Sequence, residues 1–96
     1  SRCGIGLDNV DMEAARELGI KVFNTPDAPT LAVAEMTVGM MLTLPRRINE
    51  MDHALHQGKW LKRIGMQLKG VSVAIIGYGR IGKKVAELLQ PFDVRL

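Results

Sequence analysis

The sequence has a single cysteine, Cys3, and no long uninterrupted apolar run. One cysteine excludes an internal disulfide framework and is typical of a reducing compartment, so we expect a cytoplasmic protein. The most apolar stretch, residues 31–44, is interrupted by Glu35 and other polar or small residues. It is shorter than the about 20 apolar residues that cross a bilayer. No basic-then-apolar leader opens the chain, and we expect neither a signal peptide nor a membrane partner.

Acidic residues are missing between Asp52 and Glu87, where the basic residues are Lys59, Lys62, Arg63, Lys69, Arg80, Lys83 and Lys84. Such a stretch favours an anionic partner. A phosphate-bearing cofactor, a nucleic acid and a merely solvated basic face are all open interpretations. Because the stretch ends on a glycine-rich loop, we favour the cofactor and expect no nucleic-acid partner.

Apart from these absences, the composition is that of a globular domain, with 47% hydrophobic and 24% charged residues. The first part indicates a β-α-β passage, with strands at residues 1–6 and 20–23. Between them we expect a helix over residues 12–18, capped by Asp11 or its polar neighbours. Gly19 is well placed as the left-handed residue that ends this helix.

A long helix is predicted over about residues 30–57, with Thr30 as its cap. It is apolar on nearly all sides as far as Leu44 and amphipathic afterwards, and Gly58 ends it. Pro45 lacks a backbone donor and costs roughly 3 kcal/mol inside a helix. We therefore expect a kink or break at Pro45.

Two histidines and a tryptophan follow the proline. His53 and His56 lie three residues apart on the amphipathic segment, and we interpret them as solvent-facing residues rather than a metal pair. Residues 59–68 have no regular pattern. Within them Trp60 is predicted to be a packing anchor.

The strongest motif lies within residues 71–90. Residues 71–76 form an apolar run expected of a parallel strand covered on both faces. Gly77-Tyr78-Gly79-Arg80-Ile81-Gly82 follows, then a helix, then a new apolar run at 94–96. This order of strand, G-x-G-x-x-G, helix and strand predicts a dinucleotide site. The acidic residue that would hold the ribose falls just past Leu96, so NAD is favoured and NADP remains open.

Each glycine of the loop has a physical task. Gly77 makes the tight turn out of the strand, Gly79 lets the pyrophosphate approach the backbone, and Gly82 lets the helix lie close to the strand. The amides of Arg80 and Ile81 open the helix, where free N–H groups and the helix dipole favour an anion.

Taken together, the chain resembles the D-isomer-specific 2-hydroxyacid dehydrogenases, and most closely their D-3-phosphoglycerate dehydrogenase branch. The matching segments occur in family order along the whole chain: Arg2 to Asp11, Asn24-Thr25-Pro26, Val33-Ala34-Glu35, Arg46-Arg47-Ile48, Gly58-Lys59-Trp60, and Gly77 to Gly82 followed by Lys83-Lys84-Val85-Ala86.

This resemblance implies an α/β enzyme with a flavodoxin-like substrate domain and a Rossmann NAD-binding domain. Residues 1–24 would be the end of the substrate domain, and residues 25–96 the first part of the NAD-binding domain. The family also implies a homodimer formed through the long helix.

The resemblance also implies roles for individual residues. The amides of Ile5 and Gly6 would face the substrate carboxylate and the nicotinamide end of the cofactor, and Arg2 would hold a substrate anion. Gly77, Gly79, Arg80, Ile81 and Gly82 would bind the pyrophosphate, the amides of Arg80 and Ile81 directly.

Several positions depart from the branch. Ile5 stands where Thr is common, Pro45 where Ala is usual and Asp93 where Gly is usual. Asp27-Ala28-Pro29 replaces a glycine- and asparagine-rich loop that helps to shape the substrate site. The catalytic Arg, Glu and His of the family all lie beyond Leu96.

We therefore interpret the chain as an internal fragment of an NAD-dependent D-2-hydroxyacid dehydrogenase. The expected partner is a small 2-hydroxy or 2-oxo acid, phosphoglycerate-like or hydroxypyruvate-like. The 96 residues alone are expected to be inactive, because no general acid–base set is present. The alternative is an NAD-binding corepressor of the same family that acts through protein contacts.

Overall fold

The computed structural model describes all 96 residues and is mainly helical. It contains four α-helices and one 3-10 turn: α1 (Met12–Glu17), α2 (Thr30–Arg46), α3 (Ile48–His56), α4 (Arg80–Leu89) and the turn Gln90–Phe92. The remaining residues form turns and irregular segments, joined at two points by isolated parallel β-bridges. None of the helices has the length and apolarity that spanning a membrane requires.

The predicted strands pair with the expected partners, but each pair is reduced to one bridge. Arg2 pairs with Asn24, and Ser72 pairs with Arg95, both in parallel. Around the second bridge the Arg95 amide donates to the Val71 carbonyl at 2.9 Å, and the Val73 amide donates to Arg95 at 2.8 Å. The prediction of full strands is therefore wrong for this chain. Each short segment has one neighbour only, whereas a stable sheet needs three or more strands or a covering layer.

The apolar run before the glycine loop is covered on one face only. Val71, Val73 and Ile75 are half-buried, whereas the alternate residues are exposed and Ile76 is fully exposed. This alternation follows from the period of two in extended backbone. The prediction of a run covered on both faces is wrong, because the helices of this chain lie on one side of it.

α1 begins at the predicted residue and ends at Glu17, one residue before the predicted end. Asp11 caps it, with its Oδ1 accepting from the amides of Glu13 at 3.1 Å and Ala14 at 2.9 Å. Gly19 follows with φ of 66°, the left-handed conformation predicted for it.

The predicted long helix is divided in two. Pro45 lies in the last turn of α2, and Arg47, with φ of 54°, ends α2 and begins α3. The expected break thus occurs two residues after the proline. The prediction of a single helix over residues 30–57 is wrong. Thr30 is the first residue of α2 rather than its cap, which is Pro29, and the Thr30 hydroxyl is buried without a partner.

The core lies between α2 and α4. Ala34 of α2 packs with Val85 and Leu89 of α4 and with Leu68 from the irregular segment. Ala34 and Leu89 have no exposed surface. This contact holds the C-terminal half of α4 and thereby fixes where its N-terminus points.

Outside this core the chain is elongated. Its radius of gyration is 19.6 Å, whereas a compact domain of about 100 residues has about 13 Å. Large apolar side chains remain exposed, including Ile64 and Trp60, the latter at 85%. Trp60 therefore does not anchor packing within the chain, and that prediction is wrong.

Candidate cofactor site

The N-terminus of α4 has no protein group that caps it. Gly79 occupies the cap position with φ of −83° and ψ of −157°, and no side chain accepts from the first amides of the helix. Arg80 and Ile81 are the first two helical residues, so their N–H groups have no intrahelical acceptor. These donors, together with the positive end of the helix dipole, favour a bound anion.

The three glycines have the local geometry that a phosphate loop needs. Gly77 has φ of 97°, a conformation that favours glycine. A Cβ atom on Gly82 would collide with the Gly77 carbonyl oxygen and would lie 3.2 Å from Ile75 Cγ2. A Cβ on Gly79 would meet nothing within 4 Å. The helix therefore lies close to the preceding segment, and the space beside Gly79 is open to a ligand.

Ile5 faces the glycine loop across an open cleft. The cleft measures ≈ 350 Å³ and is lined by Ile5 together with Gly77, Gly79, Arg80, Ile81 and Gly82. These are the six residues that the sequence assigned to the cofactor. The fold brings Ile5 to the loop although more than 70 residues separate them in the sequence.

Ile5 is held in place from the second segment of the β-α-β passage. Asn24 donates through Nδ2 to the Ile5 carbonyl at 2.9 Å. The Gly4 amide donates to Thr25 Oγ1 at 2.8 Å. The Ile5 turn and the Asn24-Thr25 segment therefore form one hydrogen-bonded unit on this side of the cleft.

Arg2 and Gly6 do not line this cleft. The Arg2 guanidinium donates through Nη1 to Asn9 Oδ1 at 3.1 Å, while its Nε is buried with no partner. Gly6 is half-buried. Of the three residues predicted for the substrate, Ile5 therefore lines the cleft together with those predicted for the cofactor, whereas Arg2 and Gly6 do not.

Asp27 pairs with the cleft residue Arg80, a contact that the sequence did not reveal. Arg80 Nε lies 3.0 Å from Asp27 Oδ1. The only signal in the sequence was that Asp27-Ala28-Pro29 departs from the related loop. Ion pairs also engage Arg63, Lys69 and Lys84, so the basic stretch is partly neutralised by carboxylates of this chain.

Comparison with known proteins decides the family. Residues 38–96, which include the whole glycine loop and α4, match the family described as D-isomer specific 2-hydroxyacid dehydrogenase, NAD binding domain. The chain belongs to this family. NAD is the cofactor for which the family is described.

Proteins similar to this chain include dehydrogenases and reductases. Hydroxypyruvate reductase of Thermotoga maritima is 43% identical over 100% of this chain and 32% of its own length. D-3-phosphoglycerate dehydrogenase of Homo sapiens is 43% identical over 98% of this chain and 18% of its own length. The chain thus spans a third or less of these relatives.

A solved structure supports the fold. The apo-structure of D-lactate dehydrogenase from Escherichia coli superposes with a TM-score of 0.84 at 37% identity, covering 96% of this chain and 30% of that chain. None of these similarities supports the corepressor alternative. The names of these relatives refer to different acids, so membership of the family does not identify the substrate.

Asp93, where the resemblance leads us to expect glycine, has a left-handed backbone conformation. Its φ is 54°, in the region that favours glycine. Asp adopts this conformation more easily than most residues. The Asp93 carbonyl accepts from the Gly70 amide at 2.8 Å, which ties the segment after α4 to the turn before the apolar run.

The cleft has N–H donors for an anion but no side chain suited to proton transfer. Among its lining residues only Arg80 carries a charged side chain, and arginine stays protonated at all physiological pH values. His53 and His56 lie on α3 and are exposed as predicted. Their ring nitrogens contact Gln57 and the Asp52 carbonyl, within α3 and its C-terminal turn. The geometry therefore supports holding a cofactor rather than acid–base chemistry.

Proposed function

We propose that the chain is part of an NAD-dependent oxidoreductase that transfers a hydride between the nicotinamide and a D-2-hydroxy or 2-oxo acid. The observation that carries this proposal is the shared cleft between Ile5 and the glycine loop. In this proposal residues 1–24 end a flavodoxin-like substrate domain and residues 25–96 begin the Rossmann domain. The cleft would then lie where the two domains meet.

The cofactor would be held mainly by backbone. The amides of Arg80 and Ile81 donate to the pyrophosphate, Gly79 leaves room for it, and the Ile5 turn faces the nicotinamide end. When bound, NAD supplies the hydride acceptor or donor. The open space at Gly79 and the uncapped start of α4 fit such a group.

The substrate would be bound beside Ile5, by the Ile5 and Gly6 amides and by Arg2. Arg2 is half-buried and its Nη1 donates to Asn9, so the remaining N–H groups at the end of its guanidinium are the ones that would bind an anionic substrate. We propose a phosphoglycerate-like or hydroxypyruvate-like acid as the partner, and no nucleic acid. The single exposed Cys3 fits the cytoplasmic location that we propose.

A second copy of the chain would cover α2. Met36, Met40 and Leu44 follow each other at intervals of four residues, which places them on one face of the helix, and each is more than half exposed. Burying them in a homodimer would remove this apolar surface from water. Sedimentation at several concentrations tests this, and a monomer throughout would contradict it.

Two assays test the proposed reaction. NADH titrated into the naturally encoded protein should show saturable binding by nicotinamide fluorescence, and NADH consumption should require a 2-oxo acid. The 96-residue chain alone should give no turnover above background. Absence of dinucleotide binding by the natural protein, or turnover by the 96 residues alone, would contradict the proposal.

A further inference from the structure

Asp27, in the segment before α2, contacts Arg80 of the glycine loop. Its Oδ1 atom lies 3.0 Å from Arg80 Nε, and both side chains are more than half exposed. An ion pair this exposed contributes little to the stability of the fold. The ion pair instead restricts the position of the Arg80 guanidinium.

The backbone on both sides of Asp27 is fixed by hydrogen bonds. Upstream, Thr25 Oγ1 accepts from the Gly4 amide at 2.8 Å. Downstream, the Asp27 carbonyl accepts from the Thr30 amide at 3.1 Å, at the first residue of α2. Asp27 therefore presents its carboxylate from an anchored loop, and this loop also carries the Asn24 amide that holds Ile5.

The contact uses only one edge of the guanidinium. Arginine has five N–H donors in a planar fork, and Asp27 Oδ1 lies 3.0 Å from Nε in an ion pair. The four N–H groups on the two terminal nitrogens are left for another acceptor. Phosphate oxygens suit this fork, because arginine binds them with two parallel hydrogen bonds.

We propose that Asp27 is a positioning residue for the cofactor. It holds the Arg80 side chain at the cleft that Arg80 lines, with the terminal nitrogens turned to a phosphate of the dinucleotide. The inference rests on the proposed function and adds a side-chain contact to the backbone contacts described above. The Asp27–Arg80 ion pair also links the hydrogen-bonded unit that carries Ile5 to the glycine loop.

Replacing Asp27 with alanine tests the proposal in the naturally encoded protein. Asp27→Ala should weaken NADH binding about three- to tenfold, because the long Arg80 side chain must then be ordered when the cofactor binds. Asp27→Asn keeps a side-chain oxygen within reach of Nε and should restore most of the affinity. Glu87→Ala is the matched control, since it removes an exposed ion pair with Lys84 from the same helix outside the cleft.

Two further measurements test whether the loss of NADH affinity depends on the Arg80 side chain and on the phosphates of the cofactor. In an Arg80→Gln background, Asp27→Ala should cause no additional loss. Adenosine, which has no phosphate, should bind equally to the natural protein and to Asp27→Ala, whereas ADP should lose affinity as NADH does. The unfolding temperature of Asp27→Ala should stay within about 2 °C of the natural protein, as for other surface substitutions.

The outcomes separate this inference from the proposed function. If the natural protein binds NADH and Asp27→Ala binds it equally well or more tightly, Asp27 does not position Arg80, and only the inference fails. Equal losses for NADH and adenosine would show a general distortion of the loop and would also overturn it. If the natural protein binds no dinucleotide, both the proposed function and the inference are wrong.

Discussion

Alanine at Gly82 and alanine at Gly79 should have opposite consequences, although the two glycines lie three residues apart in one loop. Gly82→Ala should destabilise the protein. Gly79→Ala should leave stability nearly unchanged and weaken cofactor binding. Comparing the two variants distinguishes a glycine that is needed for close packing from a glycine that is needed to leave room for the ligand.

The loss at Gly82 follows from the atoms that a methyl group would meet. Its Cβ would collide with the Gly77 carbonyl oxygen and would lie 3.2 Å from Ile75 Cγ2. Forced overpacking costs about 1–3 kcal/mol, and alanine returns about 1 kcal/mol of helix propensity. Because the obstructing atom is backbone and cannot rotate away, we expect an overpacking cost of about 3 kcal/mol. After the gain in helix propensity, the net loss should be about 2 kcal/mol.

At Gly79 nothing obstructs the methyl group within the protein. Its φ of −83° is ordinary for alanine, and no atom lies within 4 Å of the added Cβ. The stability change should remain within about 0.5 kcal/mol. The methyl group would instead occupy the space through which a phosphate approaches the loop. Steric interference of about 1.4 kcal/mol corresponds to a tenfold loss of affinity, and we expect at least that.

Two measurements on the naturally encoded protein decide the matter: chemical denaturation, and NADH titration followed by fluorescence. Unchanged NADH affinity in Gly79→Ala would refute the assignment of this loop to the cofactor. Unchanged stability in Gly82→Ala would refute the close packing of α4 on the preceding segment.

Three further predictions concern stability and are measured by thermal or chemical denaturation. The hydrogen bond from Arg47 lowers the pKa of Glu50 below its ordinary value of 4.5, so this pair stabilises the fold above that pH and the contribution is lost as the pH falls through the lowered pKa. Glu50→Gln should therefore reduce the unfolding temperature near neutral pH and not at about pH 2, and an equal reduction at both would contradict this. Asp93→Val should cost about 1–2 kcal/mol because its φ is 54°, whereas Asp93→Gly should be tolerated; equal effects would argue against the left-handed backbone. Leu89→Ala should cost about 2–5 kcal/mol because Leu89 has no exposed surface, and the control Leu18→Ala, at a residue 73% exposed, should change stability by about 0.5 kcal/mol or less.

The local features of the glycine loop were predictable because they depend on neighbours in the chain. The turn at Gly77, the close packing at Gly82 and the open space at Gly79 all follow from the spacing of the glycines between an apolar run and a helix. The cap at Asp11 and the left-handed Gly19 are local in the same way. Backbone geometry and short-range hydrogen bonds decide such features.

Features that depend on distant segments were predicted less well. Trp60 was expected to be buried, but no other segment of this chain covers it. Thr30 was expected to cap α2, yet the turn closed by the Asp27 carbonyl puts Pro29 at the cap. The break expected at Pro45 lies at Arg47, because a proline in the last turn removes one hydrogen bond without stopping the helix there.

The sequence by itself determined the local geometry of the glycine loop and the family resemblance, and it named the six residues that line the cleft. Tertiary structure decided that Ile5 shares a cleft with the glycine loop, that Arg2 and Gly6 do not line this cleft, and that Asp27 forms an ion pair with Arg80. The physical reason is the range of the interactions. Glycine conformation, capping and helix propensity act over a few residues, whereas a cleft and an ion pair between distant segments exist only after α2 and α4 have packed together.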